Sequence, residues 1–273
     1  MKPISIATVL LTAVLFAYPA KAQLAPANEM GVTMGQVQLV VQDADGLKQF
    51  WVLLGGKPGK LPNSNFEYSE FPGVLIFWRK GVPSGGSVGS VVNHLGFSVM
   101  NLQKSLANWK AEGLPVEAGP NVGEAHVTTP DNLVRIEIRE NKSLQVPIRF
   151  DIIQFSVATT GTGGAETTSE MQAWYAKLLG AKPYKEAQVD AASLPGVTLQ
   201  FARSETLTAP TKGRALDRIG FEITDLEMFV KTAQAQGIQF DTPYRKSATG
   251  LGVAALTDPW GTLIELNEGL KGL

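Results

Sequence analysis

The sequence contains no cysteine and only two histidines. The first absence removes disulfides, thiolate nucleophiles and every cysteine-based zinc site. The second confines imidazole chemistry to His94 and His126. Charge is sparse too: Asp, Glu, Lys and Arg make up 18% of the chain, and the formal net charge is −1. No basic block or stripe occurs, which argues against nucleic acid as a partner. No apolar run beyond the N-terminus is long enough to span a bilayer as a helix. No phosphate-loop pattern is present. Ser84-Gly85-Gly86-Ser87 and the stretch 160–164 read as surface loops.

The N-terminus has the pattern of an export signal. Lys2 supplies a positive start, and Ile4 to Ala17 is apolar apart from Ser and Thr. That stretch is too short for a transmembrane helix. Ala20-Lys21-Ala22 fits the small-x-small cleavage rule. The expectation is a signal peptide over 1–22, a mature chain starting at Gln23, and a secreted or periplasmic protein without stable membrane association. No Cys follows the cleavage site, so a lipid anchor through a first-residue Cys is excluded. Cleavage removes two of the 24 basic residues and none of the 25 acidic ones, leaving a formal charge of −3.

A segment that occurs twice is the strongest signal. Asn93-His94-Leu95-Gly96-Phe97-Ser98-Val99 returns as Asp217-Arg218-Ile219-Gly220-Phe221-Glu222-Ile223. Arg135-Ile136-Glu137-Ile138 returns as Leu263-Ile264-Glu265-Leu266, and the Leu-Leu-Gly of 53–55 returns at 178–180. The shifts are 124, 128 and 125 residues. Their near-constancy points to duplicated domains, because the period is too long for a solenoid. Domains are expected over 30–141 and 148–270, joined by the polar segment Asn141 to Pro147.

Each copy reads as strand, helix and several strands, twice over. Gln36 to Val41 alternates and is β-branched, so it reads as a strand. Asp43 is placed to cap a helix from Ala44 to Leu54 that stops at Gly55-Gly56. Gly73 to Arg79 reads as a buried strand and His94 to Val99 as another. A helix from Leu102 to Glu112 follows, ended by Gly113. Val127 to Thr129 and Leu133 to Ile138 read as a hairpin around Pro130-Asp131-Asn132. The fold class expected is α+β, with two tandem domains, each of two paired βαβββ modules.

Four segments resemble the vicinal oxygen chelate superfamily, which includes glyoxalase I, bleomycin-resistance proteins and extradiol dioxygenases. They are the opening strand Gln36-Val37-Gln38-Leu39-Val40-Val41, the Phe-Trp…Leu-Leu-Gly-Gly helix end, the His94 strand, and the endings Thr-Pro-Asp…Arg-Ile-Glu-Ile and Thr-Asp-Pro-Trp-Gly…Ile-Glu-Leu. Such a fold hosts many reactions, so the resemblance speaks to architecture before chemistry. It implies a cleft holding one divalent metal (Zn, Mn, Fe or Ni) on residues from the first and last strands of each module. Gln36, His94 and Glu137 then fall on ligand positions of the first domain, with Ile76 where a Glu is expected. In the second domain the matching positions hold Ile152, Leu199, Arg218 and Glu265, a set that excludes a metal. There Asp151, Gln154, Arg218 and Glu265 form a polar cluster.

The residues leave several roles open. His94 and Glu137 are metal ligands, or a strand histidine and an edge carboxylate beside Arg135 or Arg139. His126 is a general base, an additional ligand, or a surface histidine. Gln38 and Trp78 are expected to contact a ligand, with Phe77, Tyr68 and Phe71 also lining or covering the first cleft. Arg218 recognises an anion or pairs with Glu265. The implied activity is metal-assisted isomerase, lyase or dioxygenase chemistry on a small oxygen-bearing molecule. The alternative is metal-free sequestration of a small molecule, as bleomycin-resistance proteins do. The protein is expected to be a monomer or homodimer.

Overall fold

The computed structural model describes residues 24–158 and 167–273. The expected signal peptide lies outside the described residues. The chain builds four βαβββ modules. The first comprises β1 (Val32–Val41), α1 (Ala44–Leu54), β2 (Lys57–Lys60), β3 (Glu67–Phe71) and β4 (Val74–Lys80). The second comprises β5 (Val92–Val99), α2 (Leu102–Ala111), β6 (Val116–Ala118), β7 (Glu124–Thr128) and β8 (Arg135–Glu140). The third comprises β9 (Ile148–Ala158), α3 (Thr168–Leu179), β10 (Lys182–Glu186), β11 (Val189–Leu194) and β12 (Val197–Ser204). The fourth comprises β13 (Leu216–Ile223), α4 (Leu226–Ala235), β14 (Thr242–Lys246), β15 (Gly252–Thr257) and β16 (Leu263–Glu268).

Local chemistry sets the helix ends. The Asp43 side chain accepts a hydrogen bond from the Gly46 N–H, and α1 stops at Gly55 with φ 113°. A side chain at that φ is strained, so glycine is the natural stop. Asn101 caps α2 in the same way through the Lys104 N–H. At α3, Thr167 and Glu170 form a reciprocal capping box. Trp51 on α1 is fully buried and packs edge-on against Phe50 and Phe71, so this helix is held by its apolar face. A fully buried side chain of this kind contributes roughly 1.5–3 kcal/mol.

The sheets are shared between the two halves of the chain. One eight-stranded sheet runs β14-β15-β16-β13-β1-β4-β3-β2, and the other runs β10-β11-β12-β9-β5-β8-β7-β6. The first module therefore pairs with the fourth, through antiparallel β1 and β13. The second pairs with the third, through antiparallel β5 and β9. The α+β class and the paired βαβββ modules stand. The partner of each module is set by contacts across the whole chain rather than by sequence order, which regroups the expected site residues.

Alternation along the strands separates core from cleft. Val37, Leu39, Ile76 and Trp78 of the first module join the main core. Leu75 and Phe77 face the other way and cluster with Leu61, Tyr68 and Leu270. On β8, Ile136 and Ile138 are fully buried in the core, which turns Glu137 towards the opposite face, as the alternation predicts.

Candidate functional site: two unequal clefts

In the sheet of the first and fourth modules, Gln36 and Gln38 on β1 lie opposite Gly220 and Arg218 on β13. Gly220 in turn pairs with Glu265 on β16, and Gln38 with Phe77 on β4. The four positions that would face a metal in this first cleft are thus Gln36, Phe77, Arg218 and Glu265. The register corrects Ile76, which is fully buried in the core; Phe77 takes the cleft position. Trp78 and Phe71 also belong to the core and do not line the cleft.

The donors of this cleft are tied to one another. Glu265 Oε2 accepts from Arg218 Nη1 at 2.8 Å, and Oε1 accepts from Gln36 Nε2 at 2.7 Å and Asn267 Nδ2 at 3.0 Å. Arg218 Nε donates to Asp217 Oδ2 at 2.8 Å. The guanidinium therefore bridges two carboxylates rather than gripping one of them in a bidentate pair. Burial opposes its charge, but the fields of Glu265 and Asp217 and their hydrogen bonds raise its pKa. Gln36 Oε1 is buried without a partner among the described residues. A cation on that oxygen would share Glu265 with the Arg218 guanidinium, so this donor set does not fit a metal. A cavity of about 400 Å³ opens beside it, lined by Gln36, Gln38, Phe77, Arg218, Arg245 and Glu265 among others.

The second cleft lies on the sheet of the second and third modules. Gly96 on β5 pairs with Glu137 on β8 and with Ile152 on β9, and His94 pairs with Gln154, which pairs with Gln200 on β12. Its four equivalent positions are His94, Glu137, Ile152 and Gln200. Gln200 replaces Leu199, which is fully buried in the core. Gln36 is absent from this cleft, so the expected trio Gln36, His94 and Glu137 does not converge. The cluster of Asp151 and Gln154 with Arg218 and Glu265 also divides between the two sheets. Asp151 instead accepts from Ser98 Oγ at 2.6 Å and Arg149 Nη2 at 3.0 Å.

His94 and Glu137 do meet. His94 Nε2 lies 3.1 Å from Glu137 Oε2, and its Nδ1 lies 3.0 Å from Asn93 Oδ1. Glu137 Oε1 accepts from Arg139 Nε, and Arg139 also reaches Glu124 and Glu186 at 3.6 and 3.7 Å. Gln200 Nε2 donates to Glu186 Oε2 at 2.7 Å. Burial pushes the Glu137 carboxyl up, but the His94 hydrogen bond and the Arg139 charge together hold it below its ordinary value. His126, on β7 directly opposite Glu137, has its ring centroid 6.3 Å from that of His94. Partial burial and then the Arg135 charge lower its pKa, which favours a neutral ring.

A catalytic metal usually takes three protein ligands. Among the described residues, no three His, Cys, Asp or Glu side chains are grouped to hold one. In the second cleft Ile152 supplies no donor, and a metal on His94 and Glu137 would have to break their mutual hydrogen bond beside Arg139. The residues present do not fit a tightly held metal.

The residues that sequence reading missed are Arg139, Arg245, Gln200 and Asn267. Arg139 was legible only as an edge neighbour of Glu137. Arg245 and Asn267 lie outside the motifs, so no spacing rule pointed to them.

The Glu137 network carries a pH signature. Its folded pKa is depressed, so its contribution to stability is present above the unfolded value near 4.5 and is lost as pH falls through the folded value. Glu137→Gln is expected to be less stable than the parent at pH 7, with the gap closing below pH 4.5. Melting temperatures across that range check this. A gap that stays constant contradicts it.

No protein-family model matches the chain, and no curated protein matches it significantly. Solved structures do. Glyoxalase I from Zea mays aligns at 16% identity and TM-score 0.67, over 88% of this chain and 94% of that one. A putative dioxygenase from Bacillus subtilis aligns at 15% identity and TM-score 0.65, over 86% of this chain and 85% of that one. Identities this low speak to architecture alone. The four modules, their pairing into two sheets and these alignments together give the chain the same fold as glyoxalase I and the putative dioxygenase.

Proposed function

We propose that this is an exported, metal-independent small-molecule-binding protein whose ligand occupies the cleft of the first and fourth modules. One observation carries the reading. Every carboxylate at a metal-facing position is already bound by protein donors: Glu265 by Arg218, Gln36 and Asn267, and Glu137 by Arg139 and His94. What remains open in the first cleft is a cavity of about 400 Å³ with an apolar wall that includes Phe77, Leu61 and Leu270. That size and character suit a small ligand. Among the described residues no helix is long and apolar enough to cross a membrane.

A neutral apolar dye, Nile red, tests the reading. It is expected to bind the chelator-treated protein and to lose that binding in Val253→Trp, which fills the cavity wall. Binding that requires added Zn²⁺ or Mn²⁺, or that survives Val253→Trp, sinks the proposal.

A second reading rests on a separate observation. Asn93, His94 and Glu137 form a hydrogen-bonded chain with His126 beside it, an arrangement able to move a proton at His94 Nε2 without a metal. Turnover by the second cleft, abolished in His94→Ala and kept in Val253→Trp, would favour it.

A further inference from the structure

The first cleft is electrostatically lopsided at its rim. Among its lining residues only Arg218, Arg245 and Glu265 carry charge. Arg218 is neutralised by Glu265 and Asp217, and Asp217 has a further cation in Arg79 at 3.6 Å. Two cations and two anions thus cancel, and Arg245 is left over. Its exposed guanidinium has no ion-pair or hydrogen-bond partner among the described residues. Gln38 also lines the cavity, with no hydrogen-bond partner for its side-chain amide among the described residues. Behind these polar groups the walls are apolar, formed by Leu61, Phe66, Phe77, Leu251, Val253 and Leu270.

An unpaired cation at the mouth of an apolar pocket sets the chemistry of its guest. A neutral apolar molecule leaves Arg245 unused. A cation is repelled by it, and a multiply charged anion finds a single free partner. We infer that the first cleft takes a monoanionic small molecule, a carboxylate with an apolar body, its body against Phe77 and Leu270 and its carboxylate at Arg245 with help from Gln38. The inference rests on the binding function proposed above. Arginine suits the role because its guanidinium stays charged and offers paired N–H donors to a carboxylate.

The test is isothermal titration of the full chain with octanoate and with octanamide, which share an apolar body and differ in charge. Octanoate is expected to bind about tenfold more tightly, as a charge-assisted hydrogen bond would give. Arg245→Gln is expected to abolish that preference, and raising the salt concentration to weaken it. Equal binding of the two probes, no binding of octanoate, or a preference that survives Arg245→Gln overturns the inference. The Nile red experiment uses a neutral probe, so loss of the anion preference with Nile red binding intact defeats this inference alone. Failure of Nile red to respond to Val253→Trp defeats the cleft itself.

Discussion

Arg218→Ala is expected to lower the melting temperature by roughly 10 °C. The change takes the guanidinium from Asp217 Oδ2 and Glu265 Oε2, carboxylates whose side chains are 1% and 16% exposed, and leaves Glu265 with only the neutral donors Gln36 and Asn267 among the described residues. Removing one partner of a buried ion pair costs about 3–5 kcal/mol. In a protein of this size each kcal/mol moves the midpoint by about 2–4 °C. Arg79 and the Gly213 N–H still hold Asp217, so most of the loss falls on Glu265. A partner variant checks that assignment. Adding Glu265→Gln to Arg218→Met removes the orphaned charge and is expected to restore part of the stability. A double-mutant cycle with no coupling between the two positions, or an unchanged midpoint in Arg218→Ala, would falsify this account of the first cleft.

Asp258→Ala is expected to have the second large effect, a loss of about 3–5 kcal/mol. Asp258 lies in the Thr-Asp-Pro-Trp-Gly stretch between β15 and β16. Its carboxylate accepts from the Tyr175 hydroxyl at 2.8 Å, the Thr262 N–H at 2.7 Å and the Trp260 N–H at 3.0 Å. Tyr175 is on α3 and packs on Phe155 and Phe201 of the other sheet. One carboxylate therefore shapes the turn before β16 and ties the fourth module to the third. Alanine leaves a fully buried hydroxyl, a buried amide at Thr262 and a half-buried one at Trp260 without it, each buried group costing about 1–3 kcal/mol. Tyr175→Phe removes only the hydroxyl and should cost less than half as much. Chemical denaturation of both variants measures this, and equal losses would show that the turn amides do not depend on Asp258.

The repeat, the helix caps and the strand faces were legible because they are local. Asp43 announces α1, Gly113 marks the end of α2, and the alternation of β8 turns Glu137 away from the core. Module pairing was not legible. Joining β1 to β13 or to β5 satisfies the same alternation, and only long-range packing chooses. That choice moved Gln36 from His94 to Glu265. The slip from Phe77 to Ile76 has a different cause. β4 is apolar on both faces, Val-Leu-Ile-Phe-Trp, so no pattern marks which residue faces the cleft. The Arg218–Glu265 pair was foreseen because its partners sit at repeat-equivalent positions within one module. The reach of Arg139 and the position of Arg245 depend on strand edges, which carry little sequence signal.

The most direct test of the central claim is the metal content of the purified protein, measured by mass spectrometry beside His94→Ala after exposure to Mn²⁺, Fe²⁺, Ni²⁺ and Zn²⁺. With the carboxylates of both clefts held by protein donors, neither protein is expected to retain stoichiometric metal. About one metal per chain in the parent, lost in His94→Ala, would contradict the claim and make the His94–Glu137 pair a metal site.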